Sequence, residues 1–497
     1  MISTCFYNLG NLSYYSLHIT CYCILARYDS RDTRYEIGGM IMKETAVVIM
    51  AAGKGKRMKS DLPKVLHNLA GKPILNYVFD TINHFEVKRK IIIVGYKSEK
   101  IRELIGDKIE YAEQKEQLGT AHAVLQTKEL LSDFKGNVLI LSGDVPFLTV
   151  KILKRLLKYH QSNNFCCTLI SAILKNPQGY GRIIRDKEGK MEGIIEEVDL
   201  PVDKKLITEI NTGIYCFDKE KLFQALEKIV PENKQGEYYL TDLVKILLKE
   251  GLEVGSIIAK DNSEILGINT RLDLANASKK VYQRMIQKLM FQGVSIIDPN
   301  STFIEPGVKI GQDTIIYPFT IIEKGTKIGK SCLIGPYSHL IDANIGNGVK
   351  IWASIIEGST VKERVNIGPY AHLRPETIVK KGAKIGNFVE LKKTILGEGS
   401  KASHLTYLGD AVIGKQVNIG AGTITCNYNG QKKNKTVIEE GVFIGSNNSL
   451  VAPVKLGKGS YTGAGSTITE DVPPDSLAIA RSKQRNIKGW SKRRKRT

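Results

Sequence analysis

Ile304-Glu-Pro-Gly-Val-Lys-Ile310-Gly-Gln-Asp-Thr-Ile-Ile316-Tyr-Pro-Phe-Thr-Ile-Ile322-Glu-Lys-Gly-Thr-Lys-Ile328-Gly-Lys-Ser-Cys-Leu-Ile334 places an isoleucine at every sixth position. A helix of about 3.6 residues per turn would scatter these side chains around its surface, and a plain strand would repeat every two. An interval of six belongs to a coil of short straight segments joined by corners, in which each sixth aliphatic side chain enters one stacked core. That architecture is a parallel β-helix. Ile-Gly or Leu-Gly pairs recur at 310, 328, 334, 345, 367, 385, 396, 413, 419, 444 and 456, carrying the pattern nearly to the C-terminus. Glycine suits the corners, where a Cβ would obstruct the turn. A β-sandwich with regular turns has no need of so many repeats in register.

Working outward, Leu272 to Phe291 has helical spacing, with Leu274, Val281, Met285 and Leu289 on one stripe; Gly293 ends it and the hexads begin near Ile296. Upstream, Thr45-Ala-Val-Val-Ile-Met-Ala-Ala52 is a continuous apolar run of the kind found in buried parallel strands, followed by Gly53-Lys-Gly-Lys-Arg-Met58. Strand, glycine loop and helix make a phosphate-binding arrangement. Gly53 and Gly55 let backbone N–H groups approach an anion, and Lys54, Lys56 and Arg57 neutralise it. Met58 stands where the dinucleotide fingerprint has its third glycine, and no Gly-Lys-Ser/Thr makes a Walker loop. Lys90-Ile-Ile-Ile-Val-Gly95 and Asn137-Val-Leu-Ile-Leu-Ser-Gly-Asp-Val-Pro146 are further buried strands, the second ending in Asp144. A carboxylate at a strand's C-terminal edge is where α/β proteins place ligand chemistry, and Mg²⁺ asks for oxygen ligands.

The 497 residues exceed one hydrophobic core, and a composition 42% hydrophobic and 25% charged suits a globular chain of several domains. No apolar run approaches the ~18 residues of a membrane span. A formal charge of +21 favours anionic partners. Basic and aromatic residues do not alternate as in a nucleic-acid module, and the run Lys492 to Arg496 reads as a solvated end. Eight cysteines without framework or zinc spacing fit a reducing cytoplasm, with Cys166 and Cys167 as buried small hydrophobes. Residues 1–41 fit nothing that follows and read as a non-native or disordered extension. Glu36-Ile37-Gly38-Gly39 can be encoded by a purine-rich stretch resembling a ribosome-binding site, so translation is expected to begin at Met40 or Met42.

The strings Ala51-Ala-Gly-Lys-Gly-Lys-Arg-Met58, Leu62-Pro-Lys-Val-Leu66 and Gly71-Lys-Pro-Ile74 together resemble the sugar-nucleotide pyrophosphorylases, nucleotidyltransferases with a Rossmann-like sheet. The resemblance implies that Ala51, Ala52, Gly53 and Arg57 serve the nucleotide phosphates and that Lys64 is catalytic. It gives Gln114, Gly119 and Thr120 the uracil, Gly181, Glu196 and Asn211 the N-acetylglucosamine moiety, and Asp144 and Asn269 the Mg²⁺. His122 reads as a packing or helix-start histidine. Ser142 stands where the family usually has an aromatic residue, and Glu197 and Val198 follow Glu196 where a lysine is common.

In the solenoid, chemistry is expected where the repeat breaks, at Lys401–Asp410 and at Thr425–Thr436. The motifs Leu373-Arg-Pro375, Leu391-Lys-Lys393, His404-Leu-Thr-Tyr407, Asn418-Ile-Gly-Ala-Gly422 and Cys426-Asn-Tyr428 resemble the bifunctional family of N-acetylglucosamine-1-phosphate uridyltransferases and glucosamine-1-phosphate N-acetyltransferases. That resemblance implies a left-handed β-helix, a homotrimer, and UTP and acetyl-CoA as co-substrates. It makes Arg374 and Lys392 phosphate ligands, Tyr407 and Asn418 sugar ligands and His404 the general base. Asn427 and Tyr428 position substrate or stabilise an oxyanion, and Ala421, Ser446, Ala464 and Arg481 join them along acetyl-CoA. The expected domains are a nucleotidyltransferase over 42–270, a linker helix over 271–292, the β-helix over 293–480 and a basic tail over 481–497. The alternatives are a monofunctional pyrophosphorylase whose β-helix only trimerises, and a silent regulatory subunit, against which Arg57, Lys64 and Asp144 argue.

Overall fold

The computed structural model describes residues 34–37, 40–107 and 109–494. The extension expected over residues 1–41 lies mostly outside the described residues, as do Lys495 and Arg496. Arg34–Ile37 pairs antiparallel with Met40–Lys43, although the sequence there offers no strand periodicity. The described chain forms two compact units. One comprises the chain up to Ala52 with Thr81–Ser142 and Leu148–Ile265; the other comprises Gly53–Asp80, Gly143–Phe147 and everything from Leu266 onward.

The first unit is built on a mixed nine-stranded sheet. Its strands are β1 (Thr45–Met50), β2 (Arg89–Val94), β3 (Glu110–Glu113), β4 (Asn137–Ser142), β5 (Cys167–Ile173), β6 (Arg182–Arg185), β7 (Met191–Ile195), β8 (Glu209–Asp218) and β9 (Val254–Ile258). The order β7-β6-β8-β4-β1-β2-β3 puts four parallel strands, β4-β1-β2-β3, side by side, with β5 on β8 and β9 on β5. This is a Rossmann-like half sheet. Val47, Val48 and Ile49 are fully buried, as a strand covered on both faces requires.

In the second unit a capping box between Thr270 and Asp273 starts the helix Arg271–Phe291. Its first half packs Ala277 and Val281 against Leu69, Ala70, Ile74 and Ile268. That contact groups the glycine-loop segment with the C-terminal part of the chain. Its second half sends Ile286 and Leu289 into the core of the β-helix.

The β-helix itself follows the isoleucine ladder. Ile304 pairs with Ile322, Ile310 with Ile328 and Ile316 with Ile334, each in parallel and one coil apart. All six side chains point inward. Burying each one contributes about 1.5–3 kcal/mol, and stacking makes the core continuous. Hydroxyls that share this interior are satisfied by neighbouring coils, as where Thr314 Oγ1 donates to Gly329 O at 2.8 Å and accepts from Cys332 N at 3.1 Å. Coils approach closely enough that a Cβ on Gly397 would lie 2.0 Å from Gly414 O. The register advances 17 residues from Leu396 to Ile413 but 25 from Ile413 to Ile438. The extra residues are the excursion between the strands Ile424–Cys426 and Thr436–Ile438.

Candidate active sites

In the second unit the loop after the glycines brings Lys64 back beneath them. Gly55 adopts φ +65°, and a Cβ there would sit 2.5 Å from Lys64 Cβ. The Lys64 ammonium pairs with Asp144 and donates to Asn269 Oδ1 at 3.0 Å, while Arg57 Nη2 donates to the same oxygen at 2.9 Å. Ile268 N bonds Asp144 O at 2.9 Å, tying the two metal-ligand candidates together through the backbone. The Asp144 side chain is 8% exposed and that of Lys64 20%. A carboxylate and an amide oxygen thus converge on one cationic position. Among the described residues no three His, Cys, Asp or Glu side chains form a metal cluster. This sparse, all-oxygen donor set fits Mg²⁺, which keeps much of its shell as water and phosphate.

In the first unit Gln114 is buried. Its amide nitrogen donates to Gly119 O at 3.0 Å and lies 3.2 Å from His122 Nδ1. Thr120 opens the helix Thr120–Leu125 and its Oγ1 accepts from Leu240 N at 2.9 Å; Ala51 N donates to Ile93 O and Ala52 O accepts from Tyr96 N. Asn211 N donates to Gly181 O at 2.9 Å, and its side-chain nitrogen bonds the Tyr215 hydroxyl at 2.7 Å. Glu196 accepts from Thr241 Oγ1 at 3.1 Å, and burial pushes its carboxyl above the usual carboxylate range. Glu197 forms an ion pair with the buried Arg182 at 2.8 Å. Val198 offers its carbonyl to Lys234 Nζ at 2.7 Å.

On the β-helix, His404 lies beside Asn387 in the register of adjacent coils, with Nδ1 2.9 Å from Asn387 Oδ1. An amide oxygen can only accept, so Nδ1 carries a proton, and in the neutral ring Nε2 is the nitrogen with the lone pair. His404 lines a groove of about 480 Å³ together with Asn418, Ala421, Ser446 and Ala464. Arg374 bonds Glu390 Oε1 at 3.0 Å. Lys433, from the excursion, meets Lys392; this contact, then Arg374, lowers the Lys392 pKa. Three crowded cations make a place for a phosphate. Asn427 is tied to Asp410, and the exposed Tyr428 bonds Gly430 O at 2.6 Å. Another groove, of about 410 Å³ and lined by Lys330, Arg364 and Lys381, contains no candidate residue.

Residues 46–282 match the nucleotidyl transferase family, and residues 307–342 and 435–470 match the bacterial transferase hexapeptide family. "Bifunctional protein GlmU" of Carboxydothermus hydrogenoformans is 49% identical over 90% of this chain and 99% of its own length. The protein of the same name from Thermosipho melanesiensis is 51% identical over 89% and 96%. The chain belongs to the GlmU family. A solved UDP-glucose pyrophosphorylase complexed with UDP-glucose is also similar, at 16% identity and TM-score 0.42 over 48% of this chain and 99% of that one.

Against the pattern expected of a GlmU chain, the structure gathers Arg57, Lys64, Asp144 and Asn269 in one cluster and His404, Asn418, Ala421, Ser446 and Ala464 in one groove. Arg481 is exposed and outside that groove, and Tyr407 stands in register between Glu390 and Ile424. Sequence reasoning singled out neither Asn387, Asp410 nor Lys433. Their signal was positional: Asn387 precedes His404 by one coil, and Asp410 and Lys433 flank Asn427 across the enlarged one.

Proposed function

We propose that this GlmU-family chain performs two consecutive transfers: acetyl from acetyl-CoA to the amine of glucosamine-1-phosphate, then uridylyl from UTP to the N-acetylglucosamine-1-phosphate formed. The observation that carries the proposal is the coexistence of the Lys64–Asp144–Asn269 cluster with the His404 groove. A β-helix serving only to assemble the protein needs neither a groove at His404 nor the crowding of Arg374, Lys392 and Lys433.

For acetyl transfer, Arg374, Lys392 and Lys433 bind the sugar phosphate, and Tyr407 and Asn418 hold the ring. Acetyl-CoA lies along Ala421, Ser446 and Ala464, with Tyr428 and Arg481 at its edges. His404 Nε2 takes a proton from the amine as nitrogen attacks the thioester carbonyl; the carbon–sulfur bond breaks and the thiolate leaves, receiving that proton. Asn387 keeps the imidazole in the tautomer that permits this.

For uridylyl transfer the nucleophile is already an anion, so positioning and charge neutralisation carry the rate. Ala51, Ala52 and Gly53 receive the nucleotide, with Gln114, Gly119 and Thr120 at the uracil. Gly181, Glu196 and Asn211 hold the sugar. Arg57 and Lys64 draw charge from the α-phosphate as the sugar phosphate oxygen attacks and pyrophosphate departs. Mg²⁺ held by Asp144 and Asn269 would neutralise triphosphate oxygens.

We further propose a homotrimer working in the cytoplasm, where UTP and acetyl-CoA are supplied. Among the described residues no helix is long and apolar enough to cross a membrane. Phe319, Tyr337, Tyr370, Phe388 and Leu405 form an exposed apolar column along one corner of the β-helix. Phe319 stacks on Tyr337 at 5.0 Å and Tyr370 on Phe388 at 5.4 Å. A monomer would leave that column in water.

One incubation with glucosamine-1-phosphate, acetyl-CoA, UTP and Mg²⁺, following CoA thiol and pyrophosphate separately, tests the proposal. Both must appear. His404→Ala must abolish thiol alone, and Asp144→Ala must abolish pyrophosphate release from UTP and preformed N-acetylglucosamine-1-phosphate while sparing thiol release. Pyrophosphate without thiol from the native chain would leave the monofunctional alternative.

A further inference from the structure

We propose that Asp410 is a positioning residue of the acetyl-transfer centre, acting through Asn427; this rests on the function proposed above. Asp410 turns the corner after the strand Lys401–Gly409 with φ +49°, and its N–H donates to Lys392 O at 3.0 Å. Its Oδ2 accepts from Asn427 Nδ2 at 2.5 Å. Asn427 is 8% exposed, and its backbone is held at both ends, N–H to Thr425 O at 3.0 Å and C=O from Asn434 N at 2.7 Å.

A side-chain amide has two ends of opposite polarity and nearly equal shape. A carboxylate can engage only the nitrogen end, so Asp410 forces Oδ1 to face the other way. Among the described residues no donor reaches Asn427 Oδ1. Asn427 therefore presents an acceptor to the substrate. An acceptor suits an N–H of the glucosamine amine and would repel the oxyanion developing on the thioester carbonyl. The two roles open to Asn427 on sequence grounds thus reduce to one. With Oδ1 holding one amine N–H, the amine's other proton is left for a base and its lone pair for the acetyl carbon. Without Asp410 the amide is free to turn its donor inward, and that orientation is lost.

The test compares full-chain Asp410→Asn, which keeps an acceptor oxygen and tolerates the left-handed backbone, with Asp410→Gly, which keeps the backbone and removes the acceptor. Thiol release gives kcat and KM for both substrates, and pyrophosphate release from the same preparation reports intact folding. Asp410→Gly is expected to lower kcat for acetyl transfer by about 100-fold, the loss expected of a misoriented reacting group, leaving KM for acetyl-CoA unchanged. Asp410→Asn is expected to lose kcat only several-fold, because its amide oxygen still accepts from Asn427 Nδ2 but its amide nitrogen no longer excludes the reversed orientation. Added to Asn427→Ala, Asp410→Gly should cause no further loss, because both act at one point. Native kcat in Asp410→Gly, equal loss in both single variants, or additive loss in the double variant would each overturn the inference. Absence of thiol release from the native chain would overturn the functional proposal itself, and this inference with it.

Discussion

Replacing Gly55 by alanine tests whether the glycine loop exists to seat Lys64. Two costs can be worked from the geometry. The left-handed conformation at φ +65° costs an alanine about 1–2 kcal/mol. The new Cβ would also lie 2.5 Å from Lys64 Cβ, whereas ordinary contact begins at 3.4 Å. The Lys64 stem must therefore retreat by roughly 0.9 Å, and a displacement of this size in a reacting group costs about 100-fold in rate, or ~2.7 kcal/mol of barrier. Pyrophosphate release from UTP and N-acetylglucosamine-1-phosphate should fall about 100-fold. Thiol release should be unchanged, since the His404 groove shares no residue with this loop. Urea unfolding should report the 1–2 kcal/mol separately. Gly53→Ala makes the contrast, because its Cβ would meet no heavy atom within 4 Å. Stability should hold while KM for UTP rises, if that space is where phosphate approaches the backbone. Native pyrophosphate release by Gly55→Ala, at native KM, would refute the link between this glycine and Lys64.

Other outcomes follow from the same geometry. Asn387→Leu should cut kcat for acetyl transfer at least tenfold by releasing the imidazole tautomer, whereas Asn387→Asp, which keeps an acceptor for Nδ1–H, should hold kcat close to native; equal loss in both variants would refute the pairing. Ile351→Ala, at a fully buried rung, should cost about 2–5 kcal/mol in urea unfolding, and a smaller loss would mean the coil collapses around the cavity. Burial holds the His160 imidazole down to about 4 from 6.5, with Nδ1 bonded to Thr168 Oγ1 at 3.0 Å. Between those values the unfolded chain binds a proton that the folded chain refuses. Its contribution is therefore fully present above 6.5 and is lost, by on the order of 3 kcal/mol, as pH falls toward 4. His160→Gln should flatten that part of the urea-midpoint profile, and an unchanged slope would place the acid sensitivity elsewhere.

How much of this was legible in the sequence depended on the range of the contact involved. The ladder from Ile304 to Ile334 announced the β-helix because each rung repeats a local rule, and the 45–52 run announced a buried strand for the same reason. The groove residues were legible through motifs. Lys64 meeting both Asp144 and Asn269 joins segments 80 and 205 residues apart, which no local pattern encodes. The grouping of Gly53–Asp80 with the C-terminal part is likewise a tertiary fact, resting on Leu69, Ala70 and Ile74 against Ala277 and Val281. Val198 stood out in the sequence as a missing lysine, but that Lys234 bonds its carbonyl could be found only in three dimensions.

The solenoid occupies an intermediate case, and it explains why the partners of the catalytic candidates escaped notice. In a β-helix a residue's neighbour across the coil lies at a nearly fixed sequence distance, so Asn387 beside His404 was in principle predictable from a 17-residue step. The step is not constant: it is 18 from Ile310 to Ile328, 16 from Ile345 to Val361 and 25 across the excursion. An error of one residue exchanges an inward side chain for an outward one. The hexad core fixes which residues face inward within each coil, but corner length decides which outward residues meet between coils. The excursion is the extreme case, because seven or eight extra residues let Lys433 reach Lys392 and let Asn427 reach Asp410 without disturbing the pairing of Ile413 with Ile438. A rigid repeat thus carries chemistry by lengthening one corner, and the residues that answer that corner, Asp410 and Lys392, lie one and two coils earlier on the same corner.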